Sequence, residues 1–485
     1  MLTSSFDAVV PMICVALAAL AVMAAEAFRG KNEKMPIGGL GIVGLVGAGI
    51  AAVLLWNRRS ESFGVIAGDN FGLFITLVLV IVGILTILFS GPVVERDGLP
   101  AGEYYALTLF AIVGMIMMAT ATDLLVIFVA LEVLSLAVYT LTGIRRDSMA
   151  GTEAAFKYFL LGAFSSAFFL YGIAFAYGLS ASTRLDVVGR YFAESATPDN
   201  PLALLAVGLL LVGFAFKISA VPFHQWTPDA YEGAPAVVTG FMSTGVKAAA
   251  FAAFARVFLS ALYPMNTEWT PIVWLVAAAT MIVGTVVGVV QTNLKRMLAY
   301  SSIAHAGYLL LGLVAAGANQ DVGQIAKSAI LFYLLTYAIT NVAAFGVIAM
   351  LGSKARANDE LRDYAGLGKT HPALAALMTV CLLSLAGIPP TAGFIGKWYI
   401  FTAAVSAGYY GLAIIGVLTS VVSVFFYTRI IVMMYMTERS ETGALAPAPV
   451  VGMVALAISV VAIFYLGILP AQVMNLAAAS IGTIF

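Results

Sequence analysis

The sequence has few charged residues, and this shortage excludes several classes of protein. Only 10% of its 485 residues are charged, whereas 62% are hydrophobic. A soluble domain carries about 25% charged residues, so a soluble enzyme is excluded. The 24 Lys and Arg are balanced by 24 Asp and Glu, with no extended basic patch, which argues against nucleic acid as a partner.

Cysteines and cofactor motifs are equally scarce. Cys14 and Cys381 each lie in an apolar run and form neither a CxxC pair nor a disulfide framework, so we interpret both as packing residues and predict no metal site. The sequence contains no GxxxxGKS loop and no GxGxxG motif after a strand. The longest polar stretch, 352–371, is too short to fold alone. We therefore expect this chain to bind no nucleotide, flavin, iron–sulfur cluster or other cofactor.

Long apolar runs are what the sequence does contain. Because a run of about 20 residues can cross a bilayer, we predict an all-α polytopic membrane protein with about 14 transmembrane helices. The first run has no basic segment before it and no small-residue cleavage site, so we expect a retained helix and not a signal peptide. The predicted runs are 6–28, 36–56, 71–89, 104–122, 124–143, 154–178, 202–220, 235–262, 270–290, 298–317, 323–351, 372–387 continuing through 393–407, 409–436 and 447–469.

Basic residues are distributed unevenly between the predicted loops, and this bias indicates an orientation. The loops that follow odd-numbered runs hold 13 Lys and Arg, whereas the loops that follow even-numbered runs hold 4. Since basic loops stay in the cytoplasm, both termini are predicted on the outer side of the membrane. The remaining basic residues lie inside runs, at Lys157, Lys217, Lys247, Arg256, Lys327, Lys397 and Arg429.

Four charged residues lie deep in their runs, namely Glu132, Lys217, Lys247 and Lys397. Lys247 is about 18 Å along its helix from Pro235, near the bilayer centre, where a charge costs at least about 2.5–3.5 kcal/mol. We therefore expect these side chains to face the bundle interior. Because a carboxylate partner controls whether a buried lysine keeps its proton, a buried Glu–Lys pair is a candidate proton switch. Static ion pairing is the alternative.

The other polar candidates fall into groups. His224 and His305 lie near breaks or buried lysines. Because histidine is the residue type that ordinarily titrates near neutral pH, both are candidate proton carriers. For Lys157, close to its helix end, transport and snorkelling to the membrane surface both stay open. Three further residues are expected to snorkel or to hydrogen-bond a helix end: Arg256, Lys327 and Arg429.

Two apolar runs contain backbone breaks beside a lysine. Pro222 follows Lys217, while Gly387 and Pro389 precede Lys397. Irregular backbone at membrane depth is tolerated where it is buried in protein or lines a hydrated cavity. Two broken helices in corresponding halves indicate an inverted-repeat transporter, and ordinary proline kinks are the alternative.

Three segments resemble the antiporter-like membrane subunits of proton-pumping NADH–quinone oxidoreductase, respiratory complex I, and of multi-subunit sodium/proton antiporters. They are 216–235 (FKISAVPFHQWTPDAYEGAP), 294–308 (LKRMLAYSSIAHAGY) and 387–397 (GIPPTAGFIGK). The resemblance spans nearly the whole chain and is greatest to the subunit N type. The subunit M type is expected to have Glu in place of Lys397. The subunit L type carries an extra lateral helix, whereas this chain is expected to stop after its fourteenth span.

The resemblance implies roles for the deep charges. Glu132 is similar to the fifth-helix glutamate of the family, and Lys217 to the seventh-helix lysine that pairs with it. Lys247 is similar to the central lysine of the eighth helix. Lys397 is similar to the twelfth-helix lysine at the outer half-channel.

The resemblance implies roles for four further residues. His224 and His305 are similar to histidines that connect the lysines along a polar axis. Lys295 and Tyr300 occupy the motif near the cytoplasmic end of the tenth helix. No residue of this chain matches the NADH, flavin, iron–sulfur or quinone sites, which the resemblance implies for partner subunits.

The resemblance also implies a division of the chain. Residues 1–122 are expected to form the N-terminal helices, the fourth of which begins the first repeat. Two inverted five-helix repeats are expected at 104–262 and 270–436, each forming a half-channel. Residues 447–485 are expected to form a C-terminal helix.

The implied function is proton translocation in the bacterial inner membrane, driven by redox chemistry in partner subunits. The implied partners are the lipid bilayer and the other membrane-arm subunits of complex I. Two alternatives come from the same resemblance, a subunit of a multi-subunit sodium/proton antiporter and a subunit of a ferredoxin-dependent photosynthetic relative. A purely structural subunit with statically paired charges is a further alternative.

Overall fold

We describe the protein from a computed structural model, which covers residues 6–29, 36–194, 200–318, 320–352, 358–438 and 449–484. Five basic loop residues that contribute to the predicted orientation lie outside these ranges: Lys31, Lys34, Lys354, Arg356 and Arg439. The fold consists of the loops and helices inside the six ranges given above.

The described chain is almost entirely helical. Two central segments are π-helical, Met242–Val246 and Val257–Ala261, and together with the α-helical segments Ala236–Phe241 and Lys247–Arg256 they form one continuous helix, Ala236–Ala261. Short 3-10 helices occur at Asp7–Val9, Tyr263–Met265 and Leu361–Tyr364. The α-helices are α1 (Val10–Phe28), α2 (Ile37–Leu54), α3 (Asn70–Asp97), α4 (Ala101–Thr120), α5 (Leu124–Thr142), α6 (Met149–Ser180), α7 (Leu185–Glu194), α8 (Pro201–Lys217), α9 (Trp226–Gly233), α10 (Ala236–Phe241), α11 (Lys247–Arg256), α12 (Asn266–Val289), α13 (Leu294–Ala316), α14 (Gln320–Leu351), α15 (Leu367–Thr370), α16 (Pro372–Ala386), α17 (Ala392–Ser406), α18 (Tyr410–Met436), α19 (Val450–Ile468) and α20 (Ala471–Ile481).

The helices confirm an all-α polytopic membrane protein. Within the described ranges, 12 helices are long and apolar enough to cross a membrane, and each matches one predicted run. The other two predicted runs are the interrupted ones. In the structure the run 202–220 is the shorter helix α8, and the run 372–407 is the pair α16 and α17.

Both predicted breaks interrupt the helix fully, so the proline-kink interpretation is wrong. The first break separates α8, which ends at Lys217, from α9, which begins at Trp226. The second break follows α16, where Gly387 takes the left-handed conformation with φ of +83°, and α17 begins at Ala392. Proline lacks the amide donor that a continuous helix needs, which explains why both interruptions contain it.

Two small elements lie outside the predicted helices. Strands β1 (Ser60–Ser62) and β2 (Ile66–Gly68) form an antiparallel hairpin in the loop before α3. The segment 447–485, which the sequence predicts as one C-terminal helix, contains the two helices α19 and α20. Pro470 stands immediately before α20 and restricts continuation of the preceding helix.

The same backbone hydrogen-bonding pattern recurs where α5 and α13 begin. In each case the first helical residue donates to a carbonyl in a distant loop, and a nearby amide of that loop donates back. The bonds are Leu124 N to Thr183 O (2.8 Å), Leu185 N to Thr122 O (2.9 Å), Leu294 N to Asp359 O (2.6 Å) and Leu361 N to Thr292 O (2.9 Å). Two parts of the chain therefore share a local construction that primary sequence similarity did not reveal.

Glycine allows close helix crossings at matching places in these two parts. A Cβ atom added at Gly114 of α4 would lie 2.7 Å from the Leu134 amide nitrogen of α5. A Cβ atom added at Gly284 of α12 would lie 2.6 Å from the Ala304 amide nitrogen of α13. Small residues let membrane helices pack backbone against backbone, so each pair forms a tight unit.

The innermost helices carry the polar residues considered below. The apolar windows of Ala236–Ala261 and Val322–Leu351 are wholly buried, and that of α13 is nearly so. The peripheral helices expose large apolar side chains, including Val43, Phe164 and Val421. Such a surface suits contact with lipid, because lipid tails are as apolar as the exposed side chains.

Candidate functional site

Three lysines that the sequence places deep are buried in the structure. The exposed fraction is 1% for Lys217, 2% for Lys247 and 4% for Lys397. Among the ion pairs of the described residues, none involves any of the three. Neutral oxygen atoms therefore satisfy these ammonium groups, an arrangement that is expensive at membrane depth and commonly functional.

Lys247 is held by a single serine of the neighbouring helix. It is the first residue of α11, immediately after the π-helical segment Met242–Val246. Its Nζ donates to the carbonyl oxygen and to the Oγ of Ser302 on α13, both at 2.6 Å. Short π-helical segments inside helices are frequent at functional sites, and this one places Lys247 against α13.

A chain of hydroxyl and amide groups extends from Ser302 to α14. The Tyr337 hydroxyl donates to Ser302 Oγ at 2.8 Å. Asn341 donates from Nδ2 to the Tyr337 oxygen at 3.0 Å and to Ser243 Oγ at 2.7 Å. These contacts connect the π-helical segment, α13 and α14 around Lys247.

His305 lies one turn along α13 from Ser302 and contacts two tyrosines. Its Nδ1 is 2.6 Å from the Tyr333 hydroxyl oxygen, and its Nε2 is 3.2 Å from that of Tyr427. Which ring nitrogen donates depends on the tautomer. With 4% exposure, His305 is a buried group that has a hydroxyl on each side. Such an arrangement lets one tautomer convert to the other as a proton passes through the ring.

Lys397 lies at the second break, where its ammonium caps a helix end. Its Nζ donates to the carbonyl oxygens of Leu385 at 3.0 Å and Ala386 at 2.9 Å, and to Ser420 Oγ at 2.8 Å. The C-terminal end of a helix carries partial negative charge, which stabilises a cation there. The break in α16 thus supplies the acceptors for Lys397.

Tyr308 lies between His305 and Lys397. The His305 and Tyr308 ring centroids are 5.6 Å apart, in an edge-to-face arrangement. The Lys397 Nζ is 5.2 Å from the centroid of the Tyr308 ring. The structure therefore brings three predicted site residues, Lys247, His305 and Lys397, into one buried polar axis.

Glu132 and Lys217 do not form the direct ion pair that the sequence analysis predicts. Lys217 Nζ donates to Ser135 Oγ at 2.7 Å, and Glu132 Oε1 accepts from Ser166 Oγ at 2.5 Å. Glu132 and Ser135 are one turn apart on α5, so the serine occupies the position beside Lys217 that was expected for the carboxylate.

A small cavity lies beside Lys217 and Ser166. Its volume is about 10 Å³, and both Lys217 and Ser166 line it. This volume is close to the minimum for one water molecule, which needs polar partners of the kind present here. The Ser166 hydroxyl therefore connects the Glu132 carboxylate to a cavity that Lys217 also lines.

Three other predicted site residues lie outside the axis. His224 is half-buried in the first break, and its Nδ1 has no hydrogen-bond partner among the described residues. Lys295 pairs with Asp359 at 2.8 Å and donates to the Ala234 carbonyl oxygen at 3.0 Å, so it fastens α13 to two loops. Tyr300 packs against α12 beside Gly288.

Lys157 belongs to a cluster of charged residues near the first break. Its Nζ is 2.7 Å from Glu153 and 2.9 Å from Asp229. Arg296 pairs with the same Asp229 at 2.7 Å and with Glu232 at 2.8 Å. Ion pairs joining α6, α9 and α13 thus account for this lysine, which is 43% exposed.

Arg256 does not snorkel to the membrane surface, which is one of the two expectations for this residue. It is 2% exposed and donates to both carboxylate oxygens of Asp69, at 2.7 and 3.0 Å. It also donates to the Ala119 carbonyl oxygen at the end of α4, so the predicted helix-end hydrogen bond is present. Arg429 behaves as predicted, since it donates to the Val289 carbonyl oxygen at 3.0 Å. Lys327 is half-buried, and its behaviour stays a prediction.

Sequence reasoning missed the neutral members of the axis. Tyr333, Tyr337 and Asn341 are spaced by four residues on the long and mainly apolar helix α14, which places them on one face. That spacing is a signal that could have identified them. Tyr427 and Ser302 carry no comparable signal, because single hydroxyl residues are common in buried helices.

Comparisons with known proteins agree with this arrangement. A family model described as "NADH:quinone oxidoreductase/Mrp antiporter, TM" matches residues 121–423. The chain is 43% identical over 480 residues to NADH-quinone oxidoreductase subunit N of Trichlorobacter lovleyi, with 98% of this chain and 96% of the relative covered.

Solved structures share the fold. A chain of Thermus thermophilus respiratory complex I with bound aureothin matches with a TM-score of 0.82 and 36% identity, covering 96% of this chain and 99% of that one. A chain of the Mrp complex from a Dietzia species matches with a TM-score of 0.83 at 21% identity, covering 99% and 98%. At that identity the second match supports the fold alone.

Proposed function

The chain belongs to the NADH-quinone oxidoreductase subunit N family, within the wider NADH:quinone oxidoreductase/Mrp antiporter family, and from this membership we propose that it translocates protons. It does so as a membrane-arm subunit of a bacterial NADH-quinone oxidoreductase, beside other membrane subunits. NADH and quinone react in partner subunits. This chain takes no part in the redox chemistry and binds no cofactor.

The observation that carries the proposal is the buried axis from Lys247 to Lys397. Each lysine is held by neutral oxygen atoms, so it can release a proton without breaking an ion pair. His305 stands between them with a tyrosine hydroxyl on each ring nitrogen. Groups that exchange protons, joined by hydroxyls in a water-poor interior, form the kind of relay that membrane proton pumps use.

The proton enters the pathway at Lys217, and Glu132 controls whether this lysine stays protonated. Redox chemistry in the partner subunits sends an electrostatic signal along the membrane arm, and the signal changes how strongly the carboxylate holds the lysine charged. Because Ser135, Ser166 and the small cavity separate the two groups, a modest shift of Glu132 alters this interaction. Lys217 then passes its proton through water towards Lys247.

The output side is Lys397, from which the proton leaves towards the outer surface. We place both termini on that surface and the chain in the bacterial inner membrane, since this orientation puts most loop Lys and Arg in the cytoplasm. The recurring hydrogen bonds at α5 and α13 support the division into repeats at 104–262 and 270–436. Each repeat then supplies one half-channel and one broken helix.

The residues outside the axis have supporting roles in this scheme. Lys295 positions the cytoplasmic end of α13 through Asp359. Tyr300 packs that end against α12. His224 is half-buried at the first break, which follows the end of α8 at Lys217.

The experiment uses the assembled complex in proteoliposomes. Lys247→Ala and Glu132→Ala are compared with Lys369→Ala, because Lys369 is an exposed lysine of the short helix α15. We expect the first two variants to lower the number of protons pumped per electron, while the third matches the unaltered complex. Normal quinone reduction together with normal pumping in both axis variants would disprove the proposal.

The sodium/proton antiporter alternative is not favoured. The relatives that match nearly the full chain carry the complex I subunit name, and the antiporter match rests on the shared fold. Measuring assembly tests whether the subunit is purely structural. In that case the same substitutions would lower the amount of assembled complex, while the complex that does assemble would pump a normal number of protons per electron.

A further inference from the structure

Two buried tyrosines lie between Lys217 and Lys247, and the proton scheme above does not use them. Tyr158 is on α6 and Tyr231 is on α9, and both are 0% exposed. Each hydroxyl oxygen is buried and has no hydrogen-bond partner within the described part of the chain. A buried hydroxyl without a partner is costly, and two at one place need an explanation.

Tyr158 lies beside Lys217. The lysine Nζ is 5.6 Å from the centroid of the Tyr158 ring. That ring stacks on Trp226, with centroids 4.0 Å apart and planes 2° from parallel. Trp226 is itself fixed, because its Nε1 donates to the Phe216 carbonyl oxygen at 3.1 Å. The stacking therefore holds the Tyr158 hydroxyl in one position.

Tyr231 lies beside the group that holds Lys247. Helix α9, which carries Tyr231, packs against α13, which carries Ser302. The Tyr231 ring also meets the ring of Phe345 on α14 edge to face, with centroids 6.4 Å apart, and Phe345 is one turn from Asn341 of the network around Lys247. Ser302 Oγ accepts from Lys247 Nζ at 2.6 Å. The Tyr231 ring meets Trp226 edge to face, with centroids 6.2 Å apart, so the same tryptophan positions both tyrosines.

We propose that the hydroxyls of Tyr158 and Tyr231 form the proton relay between Lys217 and Lys247. The inference rests on the proposed function. It names the residues that carry the proton from Lys217 to Lys247, a step to which the proposed function assigns no residues. In the transfer, the Lys217 ammonium gives a proton to the first hydroxyl oxygen while the proton of that hydroxyl moves on. The second hydroxyl repeats the exchange, and the neutral Lys247 amine takes the proton through Ser302.

Protons and charge balance in this sequence. Lys217 loses one proton and one positive charge, and Lys247 gains both. Each phenol is neutral before and after the transfer, and no oxidant or reductant takes part. Water completes the gaps between hydroxyls, which lie beyond direct hydrogen-bonding distance.

The test compares Tyr158→Phe, Tyr231→Phe and the double variant in the assembled complex in proteoliposomes. Phenylalanine keeps the ring contacts with Trp226 and removes only the hydroxyl. The matched control is Tyr364→Phe, because Tyr364 is 1% exposed and its hydroxyl is also buried without a partner among the described residues, in the 3-10 helix Leu361–Tyr364. The measurements are pumping rate, protons per electron and the solvent deuterium isotope effect.

We expect each relay variant to slow pumping about tenfold, and the double variant to be no slower than the slower single variant, because both act on one step. The isotope effect should rise in both relay variants and stay unchanged in the control. Normal pumping in both relay variants, or additive losses with an unchanged isotope effect, would overturn the relay.

Two further measurements separate failure of the relay from failure of folding and from failure of the proposed function. If a phenylalanine variant does not assemble, fluorotyrosine at position 231 keeps the ring and hydroxyl and changes only the acidity. The relay then requires a shifted pH profile of pumping, and an unshifted profile overturns it. Lys247→Ala is measured alongside, and its normal pumping would refute the proposed function itself. Impaired pumping in Lys247→Ala with normal relay variants would refute the relay alone.

Discussion

Gly387 offers a sharp test of how the second break holds Lys397, because its substitution perturbs the lysine without touching it chemically. Gly387 has φ of +83°, a left-handed conformation that glycine adopts readily. A Cβ atom there would lie 2.9 Å from Lys397 Cδ and 3.2 Å from its Nζ. Gly387→Ala must therefore push the ammonium away from the carbonyl oxygens that hold it.

Gly408 is the matched control for this change. It also has φ of +83°, but nothing lies within 4 Å of the position where its Cβ would stand. Alanine in the left-handed conformation costs about 1–2 kcal/mol at either position. Any further effect at position 387 then comes from the displaced lysine.

The size of that further effect follows from the hydrogen bonds of Lys397. A hydrogen bond to a charged group contributes about 1.5–3 kcal/mol. Misplacing one such bond in the proton-transfer step slows that step roughly tenfold to a hundredfold. We expect Gly387→Ala and Gly408→Ala to lose similar thermal stability, while only the first loses proton pumping.

The assay is protons pumped per electron by purified complexes in proteoliposomes, together with NADH-dependent quinone reduction and the midpoint of thermal unfolding. Pumping by Gly387→Ala that equals pumping by Gly408→Ala would refute the placement of Lys397 in the pathway. Equal stability losses without a pumping difference would show that the break serves structure alone.

Three further predictions follow from other contacts. Arg256→Leu leaves the buried Asp69 carboxylate without its positively charged partner, so we expect a loss of about 3–5 kcal/mol in the free energy of unfolding, seen as reduced assembly on native gels. Lys295→Met should lower the thermal midpoint yet leave protons per electron unchanged, because Lys295 contacts only structural partners; a lowered ratio would count against this role. Ser135→Ala removes the acceptor of Lys217, so pumping should fall while assembly is retained, and an unaffected rate would separate this serine from the pathway.

The sequence was sufficient to predict the helical architecture. Long apolar runs predicted twelve spans that the structure contains, because hydrophobic length is a direct physical requirement of the bilayer. The two breaks were predicted from Pro222 and Gly387, since neither residue type continues a regular helix. The second C-terminal helix was missed because α20 is short and less apolar.

The depth of charged residues was predictable, but their partners were not. Burial of Lys217, Lys247 and Lys397 follows from their positions in apolar runs. The replacement of the expected Glu132 contact by Ser135 depends on helix rotation, which the sequence does not specify. Arg256 looked like a residue near a helix end, yet tertiary packing places Asp69, the N-cap residue of α3, against it.

The neutral relay groups were the hardest to predict. Tyrosine and serine cost little inside a membrane protein, so their presence in a helix carries little information. Tyr333 and Tyr427 acquire meaning only when the fold brings their hydroxyls to His305. Residues that are distant in the chain meet there because α14 and α18 both pack against α13.

The central claim is that Lys247 gives up and takes back a proton, and replacement by arginine tests it most directly. Arginine keeps the positive charge but does not deprotonate in proteins. In the assembled complex in proteoliposomes, we predict that Lys247→Arg pumps as poorly per electron as Lys247→Met, while Lys369→Arg pumps normally. Restoration of pumping by arginine, where methionine abolishes it, would contradict the account, because a fixed charge would then be sufficient.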